Sequence, residues 1–163
     1  MRTLIIFLVL TSSVLSEEIF GFPNIIDGDT IRIENYKIRL EGIDAPEMKQ
    51  KCKKEKFKIS LIVGFTFYED YNCGAVSKEN LVEKISSSKI KCISTSQDRY
   101  KRYLATCFRD KINLNKWMVR NGHALAYKRY SKKYVLDEEF AKENKLGLWK
   151  GKFINPEKWR KLN

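Results

Sequence analysis

The chain has 163 residues, room for one compact domain and hardly for two. With 43% hydrophobic residues, 12% aromatic and three prolines it can bury a core, which excludes a disordered tail or a low-complexity linker. Its 32 Lys and Arg against 20 Asp and Glu give a formal +12, which points to a polyanionic partner, either nucleic acid or an anionic membrane surface.

Residues 1–16 differ from the rest. Arg2 is followed by an unbroken apolar run over 4–10 and small residues up to Ser16, the pattern of a secretory signal peptide cleaved after Ser16. The apolar run falls well short of the roughly 20 residues that span a bilayer. The expected mature protein is therefore a single domain over 17–163, exported to the periplasm or the exterior, monomeric and without stable membrane insertion.

The body reads as short strands and then helices. Ile25-Ile26 begin a strand; Ile31 and Ile33 alternate with Arg32, and Ile38 and Leu40 with Lys37 and Arg39, so two further strands flank a turn at Glu34-Asn35. Residues 57–71 have neither a clean helical nor a clean strand period, and their structure is left open. The lysine-rich run over 50–58 reads equally as a solvated loop or as a segment that steers polyanions. Ser77, Leu81 and Ile85 make one helix face. Strands end at Cys92 and Cys107, with a polar turn between them. A second helix starts at the cap Asn113, buries Leu114 and Met118 and stops at Gly122; a third runs from about Leu136 to Gly147, with Glu138 set four before Lys142. Five strands and about three helices suit an α+β fold built on a five-stranded Greek-key barrel of the oligonucleotide-binding type.

Export would let disulfides persist among Cys52, Cys73, Cys92 and Cys107, and with no CxxC pair and one histidine a zinc site is a poor reading. A hairpin would join Cys92 to Cys107 and leave Cys52 with Cys73. The lone His123, after a helix cap, reads as packed rather than catalytic.

Chemistry concentrates in IDGDT (26–30), RLEGIDAPE (39–47) and DRYKR (98–102). Asp29, Asp44 and Glu47 are oxygen donors of the kind a hard cation such as calcium takes, and the arginines supply fixed positive charge. Singly, each has an ordinary reading: Arg39 as a solvated strand residue, Asp29 as a turn former. Together they form the inventory of phosphodiester hydrolysis.

With the tail motifs NGHALAYKRY, GLW and PEKW, these segments resemble the staphylococcal-nuclease-like (thermonuclease) family over nearly all of the mature chain. The resemblance implies a calcium-dependent nuclease acting on DNA, RNA or both and leaving 3′-phosphate ends. By motif it implies Asp29, Asp44 and the Ala45 carbonyl as calcium ligands, Arg39 and Arg102 as phosphate clamps, and Glu47 as the base that activates water. Arg99 and Tyr100 would contact a terminal phosphate, and Tyr127 or Tyr130 would stack on a base. Ala45 stands where the archetype has Thr, and Lys101 where Gly is usual, in a turn expected to need positive φ. The competing readings are a catalytically inactive nucleic-acid-binding module of the same fold and a secreted cationic protein acting on anionic polymers or membranes.

Overall fold

The computed structural model describes residues 16–59 and 65–163, so the segment read as a signal peptide lies, apart from Ser16, outside the described residues. In chain order the elements are β1 (Glu17–Gly21), β2 (Pro23–Ile25), β3 (Thr30–Ile33), β4 (Tyr36–Leu40), β5 (Ile43–Asp44), β6 (Lys51–Ile59), β7 (Phe65–Asn72), α1 (Cys73–Ile85), β8 (Ile90–Gln97), β9 (Tyr103–Arg109), β10 (Ile112–Asn113), α2 (Leu114–Arg120), β11 (Leu125–Ala126), α3 (Val135–Glu143), a 3-10 turn (Gly147–Lys150), β12 (Gly151–Lys152) and α4 (Pro156–Leu162).

The main sheet runs β1-β8-β9-β4-β3-β2, with β10 on β9. Its pairs are antiparallel except β4 with β9, where Arg39 lies beside Leu104. Period-2 alternation dictates the burial: Ile31, Ile33, Ile38 and Leu40 are buried while Arg32 and Lys37 face out. This curled sheet closes on Leu81 and Ile85 of α1, on Leu114, Met118 and Val119 of α2, and on Tyr134 and Ala141 at α3. The outcome is the α+β, oligonucleotide-binding-type fold expected, as a curled half-barrel and, among the described residues, with four helices rather than about three.

Local signals set most helix ends. Asn72 and Asn113 each accept the N–H three residues on, at 3.1 and 2.9 Å, capping α1 and α2. Gly122 takes φ +71° after α2 and packs against the backbone of Leu146, leaving no room for a Cβ. The third helix stops at Glu143, short of Gly147, which instead opens the 3-10 turn. Its Glu138 is paired to Lys142 at 2.7 Å, as the spacing predicts, and also accepts the Ala126 N–H at 2.9 Å.

Residues 51–59 and 65–72 pair as the β6–β7 hairpin, so the basic run is a strand and not a loop and leads into the segment left open from sequence. Cross-strand ion pairs such as Lys54–Glu69 at 2.8 Å lie along it, and at its base Cys52 and Tyr71 join a small apolar cluster with Leu125 and Leu148. Both disulfides pair as expected, Cys52 with Cys73 and Cys92 with Cys107. Cys92 and Cys107 lie directly opposite in the β8–β9 register. Cys52–Cys73 ties the base of the long hairpin to the start of α1.

Candidate active site

The site forms where loop, strand end and C-terminal helix converge. Between β2 and β3, Asp27 accepts the Asp29 N–H at 2.9 Å, folding the loop back on itself and aiming Asp29 inward. On β4, Arg39 stands on the face opposite Ile38 and Leu40. Its Nη1 donates to Asp29 at 2.5 Å and its Nη2 to Asp44 at 3.1 Å. Asp44 sits on β5, whose backbone is fixed by pairing with Leu125 of β11, and the Ala45 N–H donates to the second Asp29 oxygen at 2.9 Å. Asp29 and Asp44 are 4% and 1% exposed. Four of the residues singled out in the sequence, Asp29, Arg39, Asp44 and Ala45, thus share one hydrogen-bonded cluster.

Glu47 is set by its turn. Gln50, fully buried, accepts the Glu47 N–H at 3.2 Å through its side chain, gives its own N–H to the Glu47 carbonyl at 2.8 Å, and donates its amide to the Ile154 carbonyl at 2.6 Å. Gly74 lies beneath: a Cβ there would meet the Glu47 carbonyl oxygen at 1.9 Å. The Glu47 backbone is therefore clamped between the chain before α4 and the Cys52–Cys73 corner.

Around this cluster opens a cleft of about 1100 Å³, whose rim includes Arg99, Tyr100, Arg102, Tyr127, Tyr130 and Arg129. All the sequence-selected site residues except Asp44 line it directly, and Asp44 lies behind Arg39 and Arg160. Arg102 is held by Asp98 within the 98–102 turn, and Lys101 takes φ +59° there, the backbone that Gly usually supplies. Arg99 donates to the Tyr100 hydroxyl at 2.7 Å. Tyr127 packs edge-on to Tyr130 with ring centres 4.7 Å apart, and the Arg39 guanidinium lies 5.9 Å from the Tyr127 ring. His123 packs beside Trp117, away from the cleft, and burial lowers its pKa to about 4, so it is a neutral structural group.

Two site residues escaped the sequence reading. Asp27 lines the cleft beside Asp29; burial, with the Asp29 charge added, pushes its pKa up to about 6. Arg160 of α4 donates to Glu47 at 2.8 Å and to both oxygens of Asp44 at 3.0 and 3.1 Å. The Asn155-Pro156 start of α4, with Asn155 accepting the Glu157 N–H at 2.9 Å, is a legible helix signal; the reach of its fifth residue into the cleft is not.

The donor chemistry suits a hard divalent cation. Burial and the neighbouring Asp29 charge also push Asp44 up to about 6, so these carboxylates repel one another. Asp27, Asp29, Asp44 and Glu47 face two guanidinium groups, Arg39 and Arg160, Arg102 being matched by Asp98, which leaves two formal negative charges. Among the described residues no three His, Cys, Asp or Glu side chains converge on a metal position, so a cation here would draw on backbone carbonyl and water as well, as calcium does.

Comparisons with known proteins bear on the family. The model of the staphylococcal nuclease homologue family matches residues 37–151. The chain is 34% identical over 138 residues to the succinoglycan biosynthesis protein ExoI of Rhizobium meliloti, covering 83% of this chain and 66% of that one. It is 31% identical to an uncharacterized endonuclease of Haemophilus influenzae, covering 97% of this chain and 82% of that one. A further 31% identity, to an uncharacterized endonuclease of Escherichia coli, covers 83% and 80%. The chain thus spans just under two thirds of the first of these relatives and about four fifths of the other two. With the family model matching residues 37–151, well over half of the chain, the chain belongs to the staphylococcal nuclease homologue family.

Proposed function

We propose that the protein is a calcium-dependent nuclease that hydrolyses phosphodiester bonds of DNA, RNA or both and leaves 3′-phosphate ends. One observation carries the reading: Asp29, Arg39 and Glu47, which the motifs nominate separately, line one cleft with Arg102 on its rim, and Asp44 lies directly behind Arg39.

Asp29, Asp44 and the Ala45 carbonyl would hold the calcium, which when bound supplies charge neutralisation and polarises a phosphoryl oxygen. Glu47 takes the proton of the attacking water, since its carboxylate lies at the cleft surface, 35% exposed, where water reaches it. Arg39 and Arg102 hold the phosphate in the forked geometry that guanidinium matches, and stabilise the charge that grows on it. Arg99 and Tyr100 at the rim meet the terminal phosphate, and Tyr127 offers a ring to a base. The excess of basic residues draws the polyanion in. Residues 1–16 direct export, and the mature domain works as a monomer.

A zymogram on DNA and RNA, with calcium and with chelator, tests the reading. Activity is expected with calcium, less with magnesium, whose stricter octahedral demand places the phosphate less well. Full activity in excess chelator overturns the metal assignment. Glu47→Gln is expected to lower hydrolysis by about 10² to 10⁴-fold with nucleic acid still bound. Binding without cleavage by the unaltered protein would make it an inactive binding module instead.

A further inference from the structure

Both oxygens of Asp44 are occupied by guanidinium groups. Arg160 Nη2 lies 3.0 Å from Oδ1 and 3.1 Å from Oδ2, and Arg39 donates to Oδ1 at 3.1 Å. Arg39 is anchored independently by Asp29, whereas Arg160 spends its other nitrogen on Glu47, at 2.8 Å. Among the described residues no other side chain bonds the Glu47 carboxylate. A single group, carried by the C-terminal helix, therefore spans the carboxylate read as a metal ligand and the carboxylate read as the base.

The helix is seated for this task. Gln50 ties Glu47 to the Ile154 carbonyl just before α4, and Glu157 pairs with Arg129 across the cleft at 3.0 Å, so one turn further on Arg160 is presented to the acids. Its side chain keeps 32% exposure, against 2% for Asp44, so it can shift toward solvent while Asp44 cannot. A planar fork reaches two carboxylates at once; an ammonium does not. The same contact obstructs a cation: a divalent ion binding Asp44 needs the lone pairs that Arg160 holds and meets a like charge beside them.

We propose that Arg160 is a positioning residue that orients Glu47 toward the metal position and yields Asp44 to the arriving cation while keeping hold of Glu47. The inference rests on the reading of Asp29 and Asp44 as calcium ligands and of Glu47 as the base. It carries two effects of opposite sign. Removing Arg160 unblocks Asp44 and tightens calcium binding, and it frees Glu47 and slows the reaction.

The test compares the full chain with Arg160→Ala and Arg160→Lys. Calcium is titrated by calorimetry without nucleic acid, and steady-state cleavage of a single-stranded DNA oligonucleotide is then measured at saturating calcium. Arg160→Ala is expected to bind calcium about 3- to 10-fold more tightly, with kcat lower by about 10- to 100-fold and KM within about 3-fold, because the group acts through Glu47 rather than on the substrate. Arg160→Lys keeps the charge without the fork and falls between the two proteins in both readouts, and it carries the comparison by itself if thermal melting shows the alanine variant unfolded. Unchanged or weaker calcium binding, or an unchanged kcat, in variants of a protein that does bind calcium overturns the role of Arg160 alone. An unaltered protein that takes up no calcium overturns the metal reading and this inference together.

Discussion

The carboxylate of Asp98 receives both the backbone N–H of Arg102, at 3.0 Å, and its guanidinium, at 2.8 Å from Nε and 2.7 Å from Nη2. The turn from 98 to 102 is thereby closed around the side chain that it delivers to the cleft. The same Asp98 oxygen that takes the Arg102 N–H also takes the Tyr100 N–H, at 2.9 Å, so one carboxylate places two rim residues.

Arg102→Ala is accordingly expected to lower kcat by about 10² to 10³-fold, the usual effect of losing a donor aimed at developing charge. Asp98→Asn keeps an acceptor for the two N–H groups and loses the ion pair, and is expected to cost about tenfold, through misplacement of Arg102. Steady-state kinetics on a DNA oligonucleotide checks both. A loss as large in Asp98→Asn as in Arg102→Ala would show that Arg102 depends on Asp98 entirely.

Lys101 occupies left-handed backbone at φ +59° in this turn, with its N–H bonded to the Asp98 carbonyl at 2.9 Å. A Cβ costs roughly 1 kcal/mol there, which Gly avoids. Lys101→Gly is expected to raise unfolding stability by up to about 1 kcal/mol in a urea titration. The turn retains its Asp98 bonds, and cleavage activity should stay within about threefold.

His123 supplies a pH signature. Burial first, and then the charge of Lys150, lower its pKa from 6.5 to about 4. The unfolded chain therefore binds this proton at higher pH than the folded one does. The stability that His123 contributes is complete above pH 6.5 and is lost as pH falls toward 4, a change of about 3 kcal/mol. Asp27 and Asp44, raised from 3.8 to about 6, act in the opposite sense: their contribution is complete below about pH 3.8 and is lost as pH rises through 6. The His123 share is isolated by comparing unfolding at several pH values with that of His123→Gln, whose stability should vary less between pH 6.5 and 4.

The Cys52–Cys73 bridge spans 21 positions and adjoins Gly74, on which the Glu47 backbone rests. Replacing both cysteines by Ser is expected to cost about 3 kcal/mol by loosening the unfolded-chain constraint. It should also lower cleavage by freeing the corner under Glu47. Chemical unfolding and kinetics on the double variant check the two effects separately, and peptide mapping without reductant should recover both linkages.

Local rules accounted for much of the molecule before any tertiary information. Strict alternation around Ile31, Ile33, Ile38 and Leu40 marked the central strands, because one face of the sheet is buried and a register slip would expose all four. Asn113 and Gly122 bounded α2 by cap chemistry that acts within a few residues. The cysteine pairing followed because a hairpin sets Cys92 opposite Cys107. The β6–β7 hairpin was illegible for the converse reason: of residues 51–56 only Cys52 is buried, so the charged run shows no period of two in its apolar residues.

The candidate site divides in the same way. The sequence by itself determined which side chains are candidates: Asp29, Arg39, Asp44, Glu47 and Arg102 stand in short motifs that the sequence displays without any tertiary information. Only the tertiary structure decided their company. Asp27 became part of the site because folding buried the loop that carries it, beside the Asp29 charge, and burial is not encoded in a motif. Arg160 joined through a contact across 113 positions of chain, and its neighbours PEKW read from sequence only as a tail motif of the family. Ion pairs between distant segments are set by where the packed core places the backbones that carry them, and that placement follows from the burial of the whole half-barrel rather than from any one segment.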